Sequence, residues 1–179
     1  MKIIGISGLP GSGKGLVSEI ATQNGAIVIS MGDIIRKEAK KRGESTKETA
    51  QNLRKEHGQY IVAELTIKEI KEILKEESDK SIIVDGIRSP FEVDLFKENF
   101  DNFIILSVFS NRKLRFERIK TRQREDDTID YEIFLERDQR ELDFGIGVVI
   151  SLSDKMIINE KDLESYEKEI REFLEEYDV

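Results

Sequence analysis

The chain has no cysteine and a single histidine. The first absence excludes a disulfide framework, a thiolate nucleophile and a cysteine-ligated zinc site. The second leaves His57, beside Gly58, without a partner for a histidine metal pair, so it reads as a solvated or capping residue. Basic residues are in deficit. The 29 Lys and Arg stand against 37 Asp and Glu, for a formal charge of -8 and a pI of about 5.0. Such a surface repels nucleic acid and anionic membrane, so neither is an expected partner, and any anion must bind in a local basic pocket. No apolar run is long enough to span a bilayer, and Met1-Lys2-Ile3-Ile4-Gly5 leads straight into a strand pattern without a targeting segment, which reads as a cytoplasmic chain. Internal repeats, low-complexity tracts and interdomain linkers are also missing. At 179 residues a single domain is expected, with a core able to bury roughly 70% of the unfolded surface.

What is present is an alternation of short β-branched runs with longer stretches of helical period, the pattern of a parallel sheet covered on both faces. Strands are expected at 2–7, 26–30, 81–85, 103–110 and 155–159. About fifty residues separate the second strand from the third, more than one crossover needs, with breaks at Glu44-Ser45-Thr46 and His57-Gly58. They read as a helical insertion that binds substrate. The last helix carries Leu163, Tyr166, Ile170, Phe173, Leu174 and Tyr177 on one stripe and is expected to pack on the sheet without taking part in chemistry.

Directly after the first strand stands Gly8-Leu9-Pro10-Gly11-Ser12-Gly13-Lys14-Gly15, followed by helical spacing at Leu16, Val17, Ile20 and Ala21. Glycines between a strand and a helix let backbone N–H groups converge on phosphate oxygens. The helix adds the positive end of its dipole, and Lys14 adds a charge near the β and γ phosphates. This is a P-loop. The hydroxyl that usually follows the lysine and helps to hold Mg²⁺ is replaced by Gly15, and the next hydroxyl, Ser18, lies almost a helical turn further on.

Four further groups carry candidate chemistry. The third strand delivers Asp85 to the carboxyl edge of the sheet, where ligands bind, placed to orient Mg²⁺ through water; Arg88 follows it as a phosphoryl or acceptor-phosphate ligand. Asp33 and Arg36, three apart at a helix start, share one face, and Asp33 reads either as a general base or as a helix cap. Arg118 and Arg122, four apart, repel each other, a cost offset either by an anionic ligand between them or by surface salt bridges to Glu117, Glu125 and Asp126, and Arg124-Glu125-Asp126-Asp127 follows immediately. Arg137 stands in the next charged helix.

These motifs, in this order, resemble the nucleoside-monophosphate kinase superfamily of P-loop proteins. Gly8 to Gly15 is similar to the adenylate kinase loop. Ile29-Ser30-Met31-Gly32-Asp33-Ile34-Ile35-Arg36 resembles its acceptor motif, and Val84-Asp85-Gly86-Ile87-Arg88 its Asp-Gly-Phe-Pro-Arg motif. Arg118, Arg122 and the run from Arg124 resemble its lid ends. Several positions depart from adenylate kinase: Met31 and Leu16 replace threonines, no proline precedes Arg88, and almost no lid lies between Arg122 and Arg124. The ending Ser153-Asp154-Lys155-Met156-Ile157-Ile158-Asn159 instead resembles dephospho-CoA kinase. The chain as a whole most resembles an archaeal family related to these kinases.

The resemblance implies an α/β fold of the P-loop NTPase three-layer type, with a five-stranded parallel sheet, an insertion at about 33–78 and a short lid region at about 118–140. It implies ATP and Mg²⁺ as cofactors and a small-molecule acceptor as partner. Arg36 would bind an acceptor phosphate, Asp33 would serve an acceptor hydroxyl, and Asn159 would lie near the adenine. Lys14, Arg88, Arg118 and Arg122 would act on the transferring group, with Arg124 and Arg137 contributing to substrate binding. The expected activity is transfer of the γ-phosphoryl of ATP to a nucleoside monophosphate or a dephospho-CoA-like acceptor. The alternative, supported by the missing hydroxyl and the shrunken lid, is an ATPase switch or sensor without an acceptor.

Overall fold

In the computed structural model, which describes residues 2–122 and 128–179, all five apolar runs become strands. They are β1 (Ile3–Ser7), β2 (Ile27–Ser30), β3 (Ile82–Ile87), β4 (Phe103–Phe109) and β5 (Lys155–Ile158). They form one all-parallel sheet in the order β2-β3-β1-β4-β5. Alternate residues feed two cores. Ile3, Ile82, Val84, Phe103 and Ile105 face one side, whereas Ile4, Ile6, Ile83, Leu106 and Val108 face the other. Both faces are therefore covered by helices, and the strands read as continuous apolar runs.

On the second face lie α1 (Lys14–Gln23), through Val17, Ile20 and Ala21, and α9 (Leu163–Glu176), through Tyr166, Ile170, Phe173 and Leu174. The first face receives Met31 and Ile34 of α2 (Met31–Arg42), Val62, Ala63, Ile67 and Ile70 of α4 (Ile61–Glu76), and Phe96 of α5 (Pro90–Asn99). Between α2 and α4 runs α3 (Thr46–His57). It starts at a capping box in which Ser45 accepts from the Glu48 amide, and it ends at Gly58, whose amide bonds to the Arg54 carbonyl. The breaks expected at Ser45 and Gly58 are thus real helix ends.

After β4 come α6 (Arg112–Arg122) and α7 (Tyr131–Asp143), the latter capped by Asp130, and then the six-residue α8 (Ile146–Ser151). The sequence pattern did not announce α8, because six residues are too few to show a helical period. It contributes Val149 to the first core. Among the described residues no helix is long and apolar enough to cross a membrane.

Three details of the sheet's carboxyl edge prepare the site. β1 is central, with β3 on one side and β4 on the other, so successive connections leave it in opposite directions and open a crevice there. In the β1–β3 register Ile6 pairs with Asp85 but Ser7 pairs with Ile87, a bulge that skips Gly86. Ser7 Oγ secures it by donating to the Ile87 carbonyl at 2.9 Å, and bulges of this kind redirect the side chains beside them. Finally, Ser30 at the end of β2 pairs with Asp85, placing a hydroxyl-bearing residue next to the carboxylate.

Candidate active site

The loop from Gly8 to Gly13 is held from outside by its carbonyls. Asn159 Nδ2 donates to the Ser12 carbonyl at 2.8 Å, and Tyr166 Oη donates to that of Gly13 at 3.1 Å. Arg115 Nη1 donates to the carbonyl of Pro10 at 3.0 Å. Gly13 has φ +107°, and a Cβ there would stand 2.3 Å from Asn159 Nδ2, so only glycine fits. The following helix α1 has no acidic residue in its first turn, which leaves its positive end available to an anion.

In front of the loop lies a cavity of about 690 Å³. Lys14, Arg36, Arg88, Arg118, Arg122 and Arg137 line it, against three carboxylates, Glu19, Asp85 and Glu141. In a chain of charge -8 this is the local basic pocket that an anionic ligand requires. Lys14 Nζ folds back to donate to the Gly8 carbonyl at 2.5 Å. Burial lowers its pKa to about 8; Asp85 opposes the shift, and Arg88 and Arg122 reinforce it. The lysine is thus held ready for a phosphate that would restore its full charge.

Asp85 Oδ1 is buried and accepts no hydrogen bond from the protein. A buried carboxylate oxygen without a donor, at the edge of a phosphate cavity, suits a divalent cation, because Mg²⁺ is commonly held by one or two carboxylates, phosphate oxygens and water. Among the described residues no cluster of three or more His, Cys, Asp or Glu offers a cage made of protein alone. The donor set therefore fits Mg²⁺ arriving with a nucleotide.

Ser30, Gly32, Arg36, Gly86, Ile87 and Arg88, from the ends of β2 and β3 and the start of α2, line the same cavity. Arg36 lies over Gly32 and donates through Nε and Nη2 to Asp33 Oδ1, at 2.8 and 2.5 Å. Arg88 Nη1 bonds to Glu141 Oε1 across the cavity at 3.2 Å. A carboxylate from α7 thus occupies the place of an anionic partner for Arg88.

The AAA domain family matches residues 7–131. A UPF0200 protein of Methanothermobacter thermautotrophicus is 49% identical over 174 residues, which cover 97% of this chain and 90% of that one. Another, from Methanocaldococcus jannaschii, is 41% identical over 98% of this chain and 90% of that one. The chain belongs to the UPF0200 family. The fold of this UPF0200 protein is shared with TT1252 from Thermus thermophilus, at a TM-score of 0.64 and 18% identity over 98% and 97% of the two chains. An unliganded sugar kinase from Janibacter sp. has it too, at a TM-score of 0.66 and 12% identity over 100% of this chain and 95% of that one. The P-loop, kinase-like fold expected from the sequence is therefore present.

Of the residues singled out in the UPF0200 sequence, Gly8, Pro10, Gly11, Gly13, Lys14, Gly15, Arg36, Asp85, Arg88, Arg118, Arg122, Arg137 and Asn159 line the one cavity. Ser12 is buried behind the loop, with an Oγ that has no partner, and Leu9 accepts the Ser12 amide in the turn. Asp33 is outside the lining. It sits in the first turn of α2 rather than at its N-cap, which is Ser30, and its exposed carboxylate is engaged by Arg36. Arg118 is largely occupied: it donates to the Asn159 carbonyl and Oδ1, at 2.9 and 3.2 Å, and to Ser110 Oγ at 3.1 Å. Arg124 and the acidic run after it lie outside the described residues.

Two readings of the sequence are corrected. The final helix is not merely a packing element, because Tyr166 braces Gly13 and lines the cavity together with Leu163. Leu163, assigned to the buried stripe, is 64% exposed because α9 begins beyond the edge of the sheet. Glu19, Glu141, Arg115 and Asp138 were missed, and Ser30 entered only as part of the acceptor motif; each is an ordinary polar residue with no spacing signal that distinguishes it.

Proposed function

We propose that this protein is an ATP-dependent small-molecule kinase acting on a phosphate-bearing, nucleotide-like acceptor. The observation that carries the reading is that one cavity is lined both by the phosphate loop and by two further arginines from outside it, Arg36 and Arg88. A triphosphate has the loop and Lys14 for its charge. The additional arginines suit an acceptor that is itself anionic.

In this mechanism Lys14 and the loop amides hold the β and γ phosphates of ATP, with Asn159 on the nucleotide side. Mg²⁺ held by Asp85 would neutralise charge between those phosphates. Arg36 binds the acceptor phosphate, and Arg88 lies between acceptor and donor. The acceptor oxygen forms a bond to the γ phosphorus while the bond to the β–γ bridging oxygen breaks, and ADP leaves with that electron pair. Arg88, Arg122 and Arg137, with Arg118 beside them, offset the charge that spreads over the transferring group. The engagement of Asp33 by Arg36 favours an acceptor phosphate, which needs no general base, over a hydroxyl whose proton Asp33 would have to take.

A second reading is an ATP-dependent switch without an acceptor. It is favoured by Gly15, which supplies no hydroxyl for Mg²⁺, and by Glu141, which already satisfies Arg88. A coupled assay of Mg²⁺-ATP turnover separates the two, run without acceptor, with each nucleoside monophosphate and with dephospho-CoA, using Lys14→Ala as the blank. Acceptor-dependent turnover, lost in Lys14→Ala and with a raised acceptor KM in Arg36→Ala, is expected. Slow hydrolysis indifferent to every acceptor would transfer the assignment to the switch.

A further inference from the structure

A buried ion pair that the proposed reaction does not use ties α7 to the phosphate loop. Arg115 on α6 and Asp138 on α7 have side chains only 3% and 2% exposed. The guanidinium donates to both carboxylate oxygens, Nη1 to Oδ1 at 2.7 Å and Nη2 to Oδ2 at 2.5 Å. Its other bonds leave the pair: Nη1 also donates to the Pro10 carbonyl at 3.0 Å, and Nε to the Ser110 carbonyl at 3.1 Å. Phe134 of α7 lies under the guanidinium, 5.3 Å from ring centroid to Cζ. Contact with the loop is also direct through the backbone, since a Cβ on Gly11 would stand 2.6 Å from the Arg115 carbonyl oxygen.

A buried ion pair is a weak source of stability. Apolar side chains of similar volume commonly serve as well, because desolvating two charges offsets most of their attraction. What an apolar pair lacks is direction. Here one planar guanidinium addresses three elements at once: the loop through Pro10, the end of β4 through Ser110 and α7 through Asp138. Arg137, the residue before Asp138, and Glu141, three residues after it, both line the cavity. Glu141 holds Arg88, which lines the cavity too.

We propose that Arg115 and Asp138 are positioning residues that couple the phosphate loop, through the Pro10 carbonyl, to Arg137 and Glu141 on α7. A triphosphate that orders the loop orders α7 with it and so positions Arg137 and Glu141 in the cavity. The proposal rests on the reading of the loop as a triphosphate site and is independent of the acceptor.

The test is hydrogen–deuterium exchange of segments 8–15 and 131–143 with and without Mg²⁺-ATP, in the full chain and in the double variant Arg115→Met/Asp138→Leu. The two apolar side chains keep the volume filled without leaving one charge buried alone. In the natural chain ATP should slow exchange in both segments. In the double variant protection of 8–15 should persist within about twofold, while that of 131–143 should fall at least tenfold. Any turnover should lose at least tenfold in kcat, with the KM for ATP within threefold, a split that a purely structural pair would not produce. Should the double variant not melt cooperatively, Asp138→Asn is held to the same criteria. Equal protection of 131–143 in natural and substituted chains would overturn the coupling. So would protection of 8–15 alone in the natural chain. Failure of ATP to protect either segment there would overturn both the triphosphate reading and the coupling that rests on it.

Discussion

Lys14 should make triphosphate binding a proton-linked event. In the ligand-free protein burial holds its pKa at about 8, against an ordinary 10.5. Phosphate oxygens beside Nζ favour the ammonium and raise the pKa again, so above pH 8 binding must take up a proton. The sign follows: affinity is nearly constant between about pH 7 and 8 and falls roughly tenfold per unit above that, about 1.4 kcal/mol each. At pH 9 the free lysine is about one-tenth protonated, so uptake of about 0.9 proton is expected there, against about 0.1 at pH 7. Phosphate itself titrates near pH 6 and does not contribute in that range. Calorimetry of ATP binding, in buffers of differing ionisation enthalpy and in EDTA to remove divalent ions, measures the uptake directly. Lys14→Gln should bind weakly and without proton uptake. Uptake below about 0.2 proton at pH 9, or an unchanged pH slope in Lys14→Gln, would refute the reasoning.

Three other outcomes follow from the same geometry. Asp85→Asn removes the group that props up the Lys14 pKa, so the pH midpoint of ATP binding in EDTA should move below 8, and the Mg²⁺ dependence of binding should shrink when the titration is repeated with Mg²⁺ in place of EDTA. Gly13→Ala places a methyl 2.3 Å from Asn159 Nδ2 at φ +107°; about 1–3 kcal/mol of backbone strain should distort the loop and weaken ATP binding by about fivefold to a hundredfold while cooperative melting persists. Asp138→Ala leaves Arg115 charged and buried, and should cost about 3–5 kcal/mol in urea unfolding, far more than the apolar double replacement.

The phosphate loop was legible because its requirements are local. Amides that converge on phosphate demand glycines at fixed offsets between a strand and a helix, and Gly8 to Lys14 supplies them within seven residues. Asp85 was legible for a similar reason: an apolar strand that ends in a carboxylate delivers it to the sheet edge. The roles of Asp33 and Arg118 were not, since each depends on a neighbour. Asp33 faces Arg36 rather than the cavity, and Arg118 is bound to Asn159 from a different element.

The sequence alone determined the five strands and the loop, because apolar β-branched runs, helical period and turn chemistry are written within short stretches of chain, and the order of its motifs carried the resemblance to kinases. Only the tertiary structure decided that Tyr166 braces Gly13 across 153 positions, that Glu141 occupies Arg88 across 53, and that Arg115 joins Asp138 to the loop. Those contacts arise from strand order and helix placement, and a single chain carries no local mark of which distant residue will meet which.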